Sequence, residues 1–215
     1  GPAGVGKSTA ARRLAHRLEA VFVDTGATYR AVTLAAMRAG VDLADPDAVT
    51  GVMDTTRFDF FHDNDVLKVH IDGEDATAAV RLPEVTENVK HIAARPALRQ
   101  RLVTLQRQFA GRFETVVSEG RDQGTVVFPE AAFKFFLTAD PAERARRRYE
   151  ELKDAGKEVD LATLTRQIAA RDAADETRTV GPLKAAEDAT VIDTTALDAD
   201  GVVNTMLAIM ERRNG

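Results

Sequence analysis

The 215-residue chain has no cysteine. That excludes a disulfide framework and any thiolate metal site. It has four histidines, His16, His62, His70 and His91. They show no metal-ligand spacing and read as surface or packing residues. No apolar run is long enough to span a membrane, and no secretory signal stands in the sequence given. Cytoplasm is the expected location. Neither charge sign dominates: 29 Lys and Arg against 34 Asp and Glu give a net charge of −5, which argues against a general nucleic-acid binder. Internal repeats and low-complexity tracts are also lacking. What remains is ordinary for a soluble globular chain, with 44% hydrophobic and 29% charged residues. The length leaves room for one α/β domain plus an insertion.

The most informative feature stands first. Gly1-Pro2-Ala3-Gly4-Val5-Gly6-Lys7-Ser8-Thr9 fills every fixed position of G-x-x-x-x-G-K-[ST]. The glycines let the backbone wrap a polyphosphate and aim N–H groups at it. Lys7 can reach the β- and γ-phosphates, and the Ser8 hydroxyl is the candidate Mg²⁺ ligand. Ala10 to Leu18 reads as a helix whose positive end faces the same phosphates. A buried strand normally precedes this motif. The chain opens on the motif's first glycine, so a first core strand is expected to be missing before Gly1.

Farther along, Ala20–Val23 reads as a strand ending in Asp24-Thr25-Gly26, with a helix from Ala27 to about Ala39. Residues from about 54 to 82 change character. Phe58–Phe60 and Val66–Ile71 suggest short strands, with turns at Asp63–Asp65 and Asp72–Asp75. Helical pattern resumes near Pro83. Leu98, Leu102, Leu105 and Phe109 then mark one face of a long helix starting near Pro96. Phe113–Val117 and Phe133–Leu137 read as core strands, followed by a basic helix with Arg144, Arg146, Arg147 and Arg148. Lys153–Lys157 breaks that pattern as a candidate mobile loop. Leu161 to about Thr177 is helical, Thr190–Ile192 is a last strand, and Val202–Arg212 a closing helix.

A phosphate loop alone says only that a nucleoside triphosphate binds. Arginines placed just after strands, where α/β enzymes keep their sites, suggest what receives the phosphate. Arg30 lies one turn past the Asp24-Thr25-Gly26 strand end. Arg121-Asp122 ends another strand. Arg171, Asp175 and Arg178 fall at i, i+4 and i+7, one helix face, and Arg99 sits on the helix after the insertion. Two nucleotides with facing phosphates concentrate negative charge, which planar guanidinium forks neutralise well. Each arginine has a plainer reading. Arg171–Asp175 also suits an i, i+4 surface pair, and Arg144–Arg148 a solvated basic face.

Together these residues resemble the bacterial cytidylate kinases, a branch of the P-loop nucleoside monophosphate kinases. The resemblance runs nearly end to end. It takes in the phosphate loop, Asp24–Arg30, Arg95–Arg99, Gly120–Pro129, Arg171-Asp172 to Arg178, Pro182-Leu183 and Asp188-Ala189. Gly120–Pro129 is its most specific stretch. The resemblance implies a three-layer P-loop α/β fold with a parallel central sheet, a small antiparallel insertion and a helical lid. It implies a single domain over 1–215, with core 1–30, 96–145 and 178–215, a monophosphate-binding segment 31–95, and a lid at about 146–165.

It also implies roles. Gly1 through Thr9 bind ATP. Thr25, Arg30, Arg121 and Arg178 hold the CMP phosphate region, Arg99 and Asp122 read cytosine, and Arg171 and Asp175 contact the sugar. Arg147 or Arg148 closes over ATP. Lys7, Arg121, Arg178, Arg147 and Arg148 form the catalytic set, with Mg²⁺ at Ser8. The chemistry agrees with the base readers: Arg99 can donate to cytosine O2 and N3, and Asp122 can accept from its N4 amine. One departure is Lys90, where relatives usually carry a base-contacting serine. The implied activity is transfer of the ATP γ-phosphate to CMP or dCMP by a monomer. Its partners would be nucleotides alone, without nucleic acid or membrane. A kinase for another small acceptor, or a P-loop switch module, stays open at this stage.

Overall fold

The computed structural model describes residues 1–63, 66–154 and 156–214. These residues form two compact units, 19–118 and 1–18 with 119–215.

Unit 19–118 holds β1 (Val21–Asp24), α2 (Thr25–Arg38), α3 (Pro46–Thr55), β2 (Phe58–Asp63), β3 (Val66–Ile71), β4 (Glu74–Asp75), α4 (Pro83–Ala93) and α5 (Pro96–Ala110). It ends along β5 (Val116–Glu119), which pairs with β1. Helix α2 starts two residues before the expected Ala27. The reason is Asp24, whose side chain accepts a hydrogen bond from Ala27 N at 3.0 Å and caps the helix early. Thr25 and Gly26 therefore lie in its first turn. α3 is not among the elements expected from the sequence pattern. Its start was signalled by Asp45, which caps Asp47 N and Ala48 N, followed by Pro46 in the first turn.

The insertion is antiparallel, as expected. β2 pairs β3 with Phe58 opposite Ile71 and Phe60 opposite Val69. Of the expected turn Asp63–Asp65, residues 64 and 65 lie outside the described residues. The expected turn Asp72–Asp75 is shorter than read, because Glu74 and Asp75 pair back on Ile71 and His70 as β4. β5 is displaced from the expected Phe113–Val117. Phe113 closes the helix turn by donating to Ala110 O and packs edge-on against Phe109 and His62, so the strand begins later. His62 is a packing residue, as expected; its Nε2 lies 2.8 Å from Phe22 O. The core is a cluster from four helices: Val32, Ala36, Val49, Ile92, Leu98 and Leu102 are all fully buried.

The other unit holds α1 (Lys7–Arg17), β6 (Phe135–Thr138), α6 (Pro141–Asp154), α7 (Leu161–Glu176), β7 (Thr190–Asp193) and α8 (Ala199–Asn214). β6 and β7 pair in parallel, with Phe135 opposite Thr190 and Leu137 opposite Ile192. α1 packs on α8, and α6 on α7. A π-helical turn spans Gln123–Val127. α8 begins three residues before the expected Val202, with Asp198 Oδ1 accepting from Gly201 N at 2.7 Å. α7 ends at Glu176, so Arg178 is not on its face as the i+7 spacing implied. Among the described residues no helix is long and apolar enough to cross a membrane.

Leu102 sits at the centre of the four-helix cluster with no exposed surface. We expect Leu102→Ala to lower unfolding free energy by about 2–5 kcal/mol through lost transfer energy and a residual cavity. Urea denaturation checks this; a loss below about 1 kcal/mol would show that the cluster collapses around the deletion.

Candidate active site

The phosphate loop occupies 1–9 in its own unit. Gly4 and Gly6 have φ of +78° and +83°, a region closed to most side chains. Gly6 hands the chain to α1, the helix whose N-terminus crowns the loop. Lys7 Nζ donates to Pro2 O at 2.5 Å. Ser8 Oγ donates to Glu119 Oε1 at 2.8 Å. Glu119, at the end of β5, had no role in the sequence reading; its place at a strand end was the available signal.

Beyond the loop, cations crowd around one acid. Asp175 is only 2% exposed. Its Oδ2 accepts from Arg121 Nε at 2.7 Å, and its Oδ1 pairs with Arg178. Arg178 reaches Asp175 from just past the helix end, three residues on. Arg171 makes no ion pair with Asp175, so the surface-pair reading is replaced by a different arrangement. The Arg171 side chain touches solvent yet sits in a dense neighbourhood. That desolvation, then repulsion from Arg121, lowers its pKa, and Arg178 and Arg148 push the same way. Burial pushes the Lys7 ammonium down to about 7; Arg121 and Arg171 add to the fall, while Glu119 and Asp175 oppose it.

The four arginines of α6 part company. Arg146 forms surface pairs with Glu143 and Glu150. Arg148 pairs with Glu151 at 2.8 Å and adds to the field at Arg171. Arg147, expected in the closing lid, is instead turned onto the β7–α8 connection. Its Nη2 donates to Thr194 O at 2.6 Å and Thr195 O at 3.1 Å, and its Nε to Glu143. Arg144, read as part of a basic face, is buried and pairs with Asp172. A cavity of about 340 Å³ lies beside the loop, lined among others by Val5, Gly6, Thr9, Arg147, Leu197 and Asp198.

Asp122 is buried where the π-helical turn begins, its carbonyl accepting from Val126 N at 2.9 Å.

Unit 19–118 carries the remaining expected residues. Thr25 is buried, and its carbonyl accepts from Thr28 Oγ1 at 2.7 Å. Arg30 pairs with Asp24 at 2.9 Å, and its buried Nε has no partner among the described residues. A Cβ on Gly26 would come within 2.8 Å of Arg30 Nη1, so the glycine makes room for that guanidinium. Arg99 is 3% exposed and lies 5.7 Å above the Tyr29 ring. Lys90 is exposed on α4. Gln106, two turns along α5 from Arg99, was not among the expected site residues. It is buried and donates to Thr28 Oγ1 at 2.8 Å. A lone glutamine at a core position of an apolar helix face was the signal.

A family model for cytidylate kinase matches residues 1–212. The chain belongs to the cytidylate kinase family. It is 46% identical over 213 residues to the cytidylate kinase of Syntrophotalea carbinolica, covering 99% of this chain and 90% of the relative. It is 48% identical to that of Pelotomaculum thermopropionicum, covering 97% and 92%, and 46% identical to that of Desulfitobacterium hafniense, covering 97% and 89%. As a family member the protein is a phosphotransferase with the P-loop α/β fold that the motifs implied.

The lowered Lys7 pKa makes a pH-dependent expectation. Above about 7 the free lysine is largely neutral, and a bound polyphosphate restores its charge. Binding therefore takes up a proton between roughly pH 7 and 10, and takes up little below pH 6. Calorimetry of ATP binding at about pH 8.5 in two buffers of different ionisation enthalpy should show this. Enthalpies independent of buffer at that pH would mean the lysine is already charged.

Proposed function

We propose that the protein transfers the γ-phosphoryl group of ATP to CMP or dCMP, giving ADP and CDP or dCDP, as a cytoplasmic monomer. The observation that carries the reading is the set of arginines organised on Asp175 next to the phosphate-loop lysine. A triphosphate needs only the loop and α1. Further guanidiniums held ready by a buried acid suit a second phosphate. A switch module would need no such set.

In this reading Gly1–Thr9 wrap the donor phosphates, and Lys7 neutralises charge on the transferring group. The cavity beside Thr9 and Leu197 takes the donor base, with Arg147 shaping its wall rather than touching phosphate. Arg148 is then the better candidate of the two to meet phosphate. Arg121 and Arg178 bind and orient the acceptor phosphate, and Arg171 and Asp175 meet the ribose. Thr25 and Arg30, in unit 19–118, are read as acceptor-phosphate residues. Arg99 donates to cytosine O2 and N3, and Asp122 accepts from the N4 amine. Lys90 stands as a further base contact only if its side chain folds back from solvent. Catalysis is positioning and charge stabilisation, with no covalent enzyme intermediate.

A magnesium ion fits the residues present. Ser8 Oγ and the Glu119 carboxylate offer hard oxygens 2.8 Å apart. No group of three or more metal-binding side chains occurs among the described residues. That suits an ion held mainly by substrate phosphates and water. Bound there, the ion would supply charge neutralisation at the β- and γ-oxygens.

We expect ATP consumption to depend on added CMP, with CDP as product; steady ATP hydrolysis that ignores CMP would favour the switch reading. Arg178→Ala should lower kcat/KM by about 10²–10³-fold, with only a small fall in Tm because Arg121 still pairs with the buried Asp175. A fall in Tm with unchanged kinetics would reduce Arg178 to a structural pair. Asp122→Asn should narrow the preference for CMP over UMP, since the amide can donate to uracil O4. Equal losses for both substrates would move Asp122 from the base to another task.

A further inference from the structure

Asp172 and Arg144 have no part in the reading above, yet both are buried. Asp172 Oδ1 accepts from Ala3 N at 3.1 Å. Arg144 Nη1 donates to Ala3 O at 3.0 Å, and its Nε to Ala139 O at 3.2 Å. The two side chains also pair with each other. One residue of the phosphate loop thus has both its backbone polar groups bonded to a single buried ion pair. The next residue closes against the same arginine: a Cβ on Gly4 would lie 3.2 Å from Arg144 Cβ.

The partners come from two helices. Arg144 is on α6 and Asp172 on α7. Asp175, three residues after Asp172 and also buried, carries Arg121 and Arg178. Residues three apart lie on one helix face. A buried ion pair adds little net stability, because desolvation offsets its attraction. Its gain here is geometric: it removes the freedom of Ala3 to shift.

We propose that Arg144 and Asp172 are positioning residues for phosphoryl transfer. They anchor the donor loop at Ala3 to the helix that holds the acceptor arginines one turn away through Asp175. α7 then acts as the spacer between Ala3 and the Arg121–Arg178 pair. Neither residue touches substrate. The effect on transfer rests on the kinase reading; the effect on donor binding does not.

The test uses the whole chain, Asp172→Asn, and the double variant Arg144→Met with Asp172→Leu. Asp172→Asn keeps an acceptor for Ala3 N–H and so should fold. The double variant removes both charges, and its Tm should match or exceed that of Asp172→Asn. Calorimetry is run separately with a non-hydrolysable ATP analogue and with CMP, and kcat is measured on each protein. We expect the analogue Kd to rise roughly tenfold or more in both variants, with CMP affinity within about twofold of the parent. kcat should fall in both, including a double variant of unimpaired Tm. A folded double variant with parental analogue affinity and kcat overturns the proposal. So does an equal loss of ATP and CMP affinity, or failure of Asp172→Asn to fold, either of which makes the pair purely structural. A parent protein without CMP-dependent turnover, but with the analogue-specific loss in both variants, would sink the kinase reading and leave the anchoring intact.

Discussion

Repulsion among cations is the constraint that the phosphate-loop unit is built around. Lys7, Arg121, Arg171, Arg178 and Arg148 share one electrostatic neighbourhood, and the acid at its centre is Asp175. One carboxylate with two oxygens can fix two guanidiniums, not five cations. Burial first, and then repulsion from Arg121, disfavours the protonated forms of Lys7 and Arg171. Like charges held this close repel one another, so the region suits a polyanion. Holding them needs anchors that do not depend on the ligand. Two are visible: the side chain of Asp175 for the arginines, and the Arg144–Asp172 pair for Ala3.

Unit 19–118 meets a different problem with different means. Its expected site residues stand on a frame of close apolar packing among α2, α3, α4 and α5. α2 serves both sides. Val32 and Ala36 are buried in the cluster, while Thr25 and Arg30 stand at its first two turns. Asp24 does two tasks at once, capping the helix and pairing with Arg30. Gln106 adds a polar brace between α5 and α2 through Thr28. Shifting α5 along α2 would break that hydrogen bond between two buried side chains, so the brace fixes register as apolar contacts alone do not.

Much of this was legible in the residues. The nine-residue loop announced its own backbone, because glycine accepts the positive φ found at Gly4 and Gly6 far more readily than other residues do. The alternation of Val66–Ile71 and the Leu98–Phe109 face announced β3 and α5, since burial on one side imposes a period. Gly120–Pro129 points to the family from its residues alone. Other features were only half legible. Asp45-Pro46 carried a helix start that was passed over, and Phe113 looked like strand because an aromatic suits both a strand and a helix-terminating cluster. Element ends moved where a cap, such as Asp24 or Asp198, claimed residues for a helix.

The division follows the range of the forces. Steric limits on φ and ψ, capping hydrogen bonds and hydrophobic period act between near neighbours, so the sequence by itself determined the phosphate loop, most elements and the family. Ion pairs act between residues far apart in the chain, and their partners are chosen by packing. Arg144, Arg146, Arg147 and Arg148 look alike in a row of letters. Only the tertiary structure sent one to Asp172 and Ala3, one to Glu143 and Glu150, one to the carbonyls of Thr194 and Thr195, and one to Glu151. The same is true of Asp175, which its spacing offered to Arg171 and the fold gave to Arg121 and Arg178. A helix presents its side chains every 100° or so, and what waits at each angle is supplied by other elements.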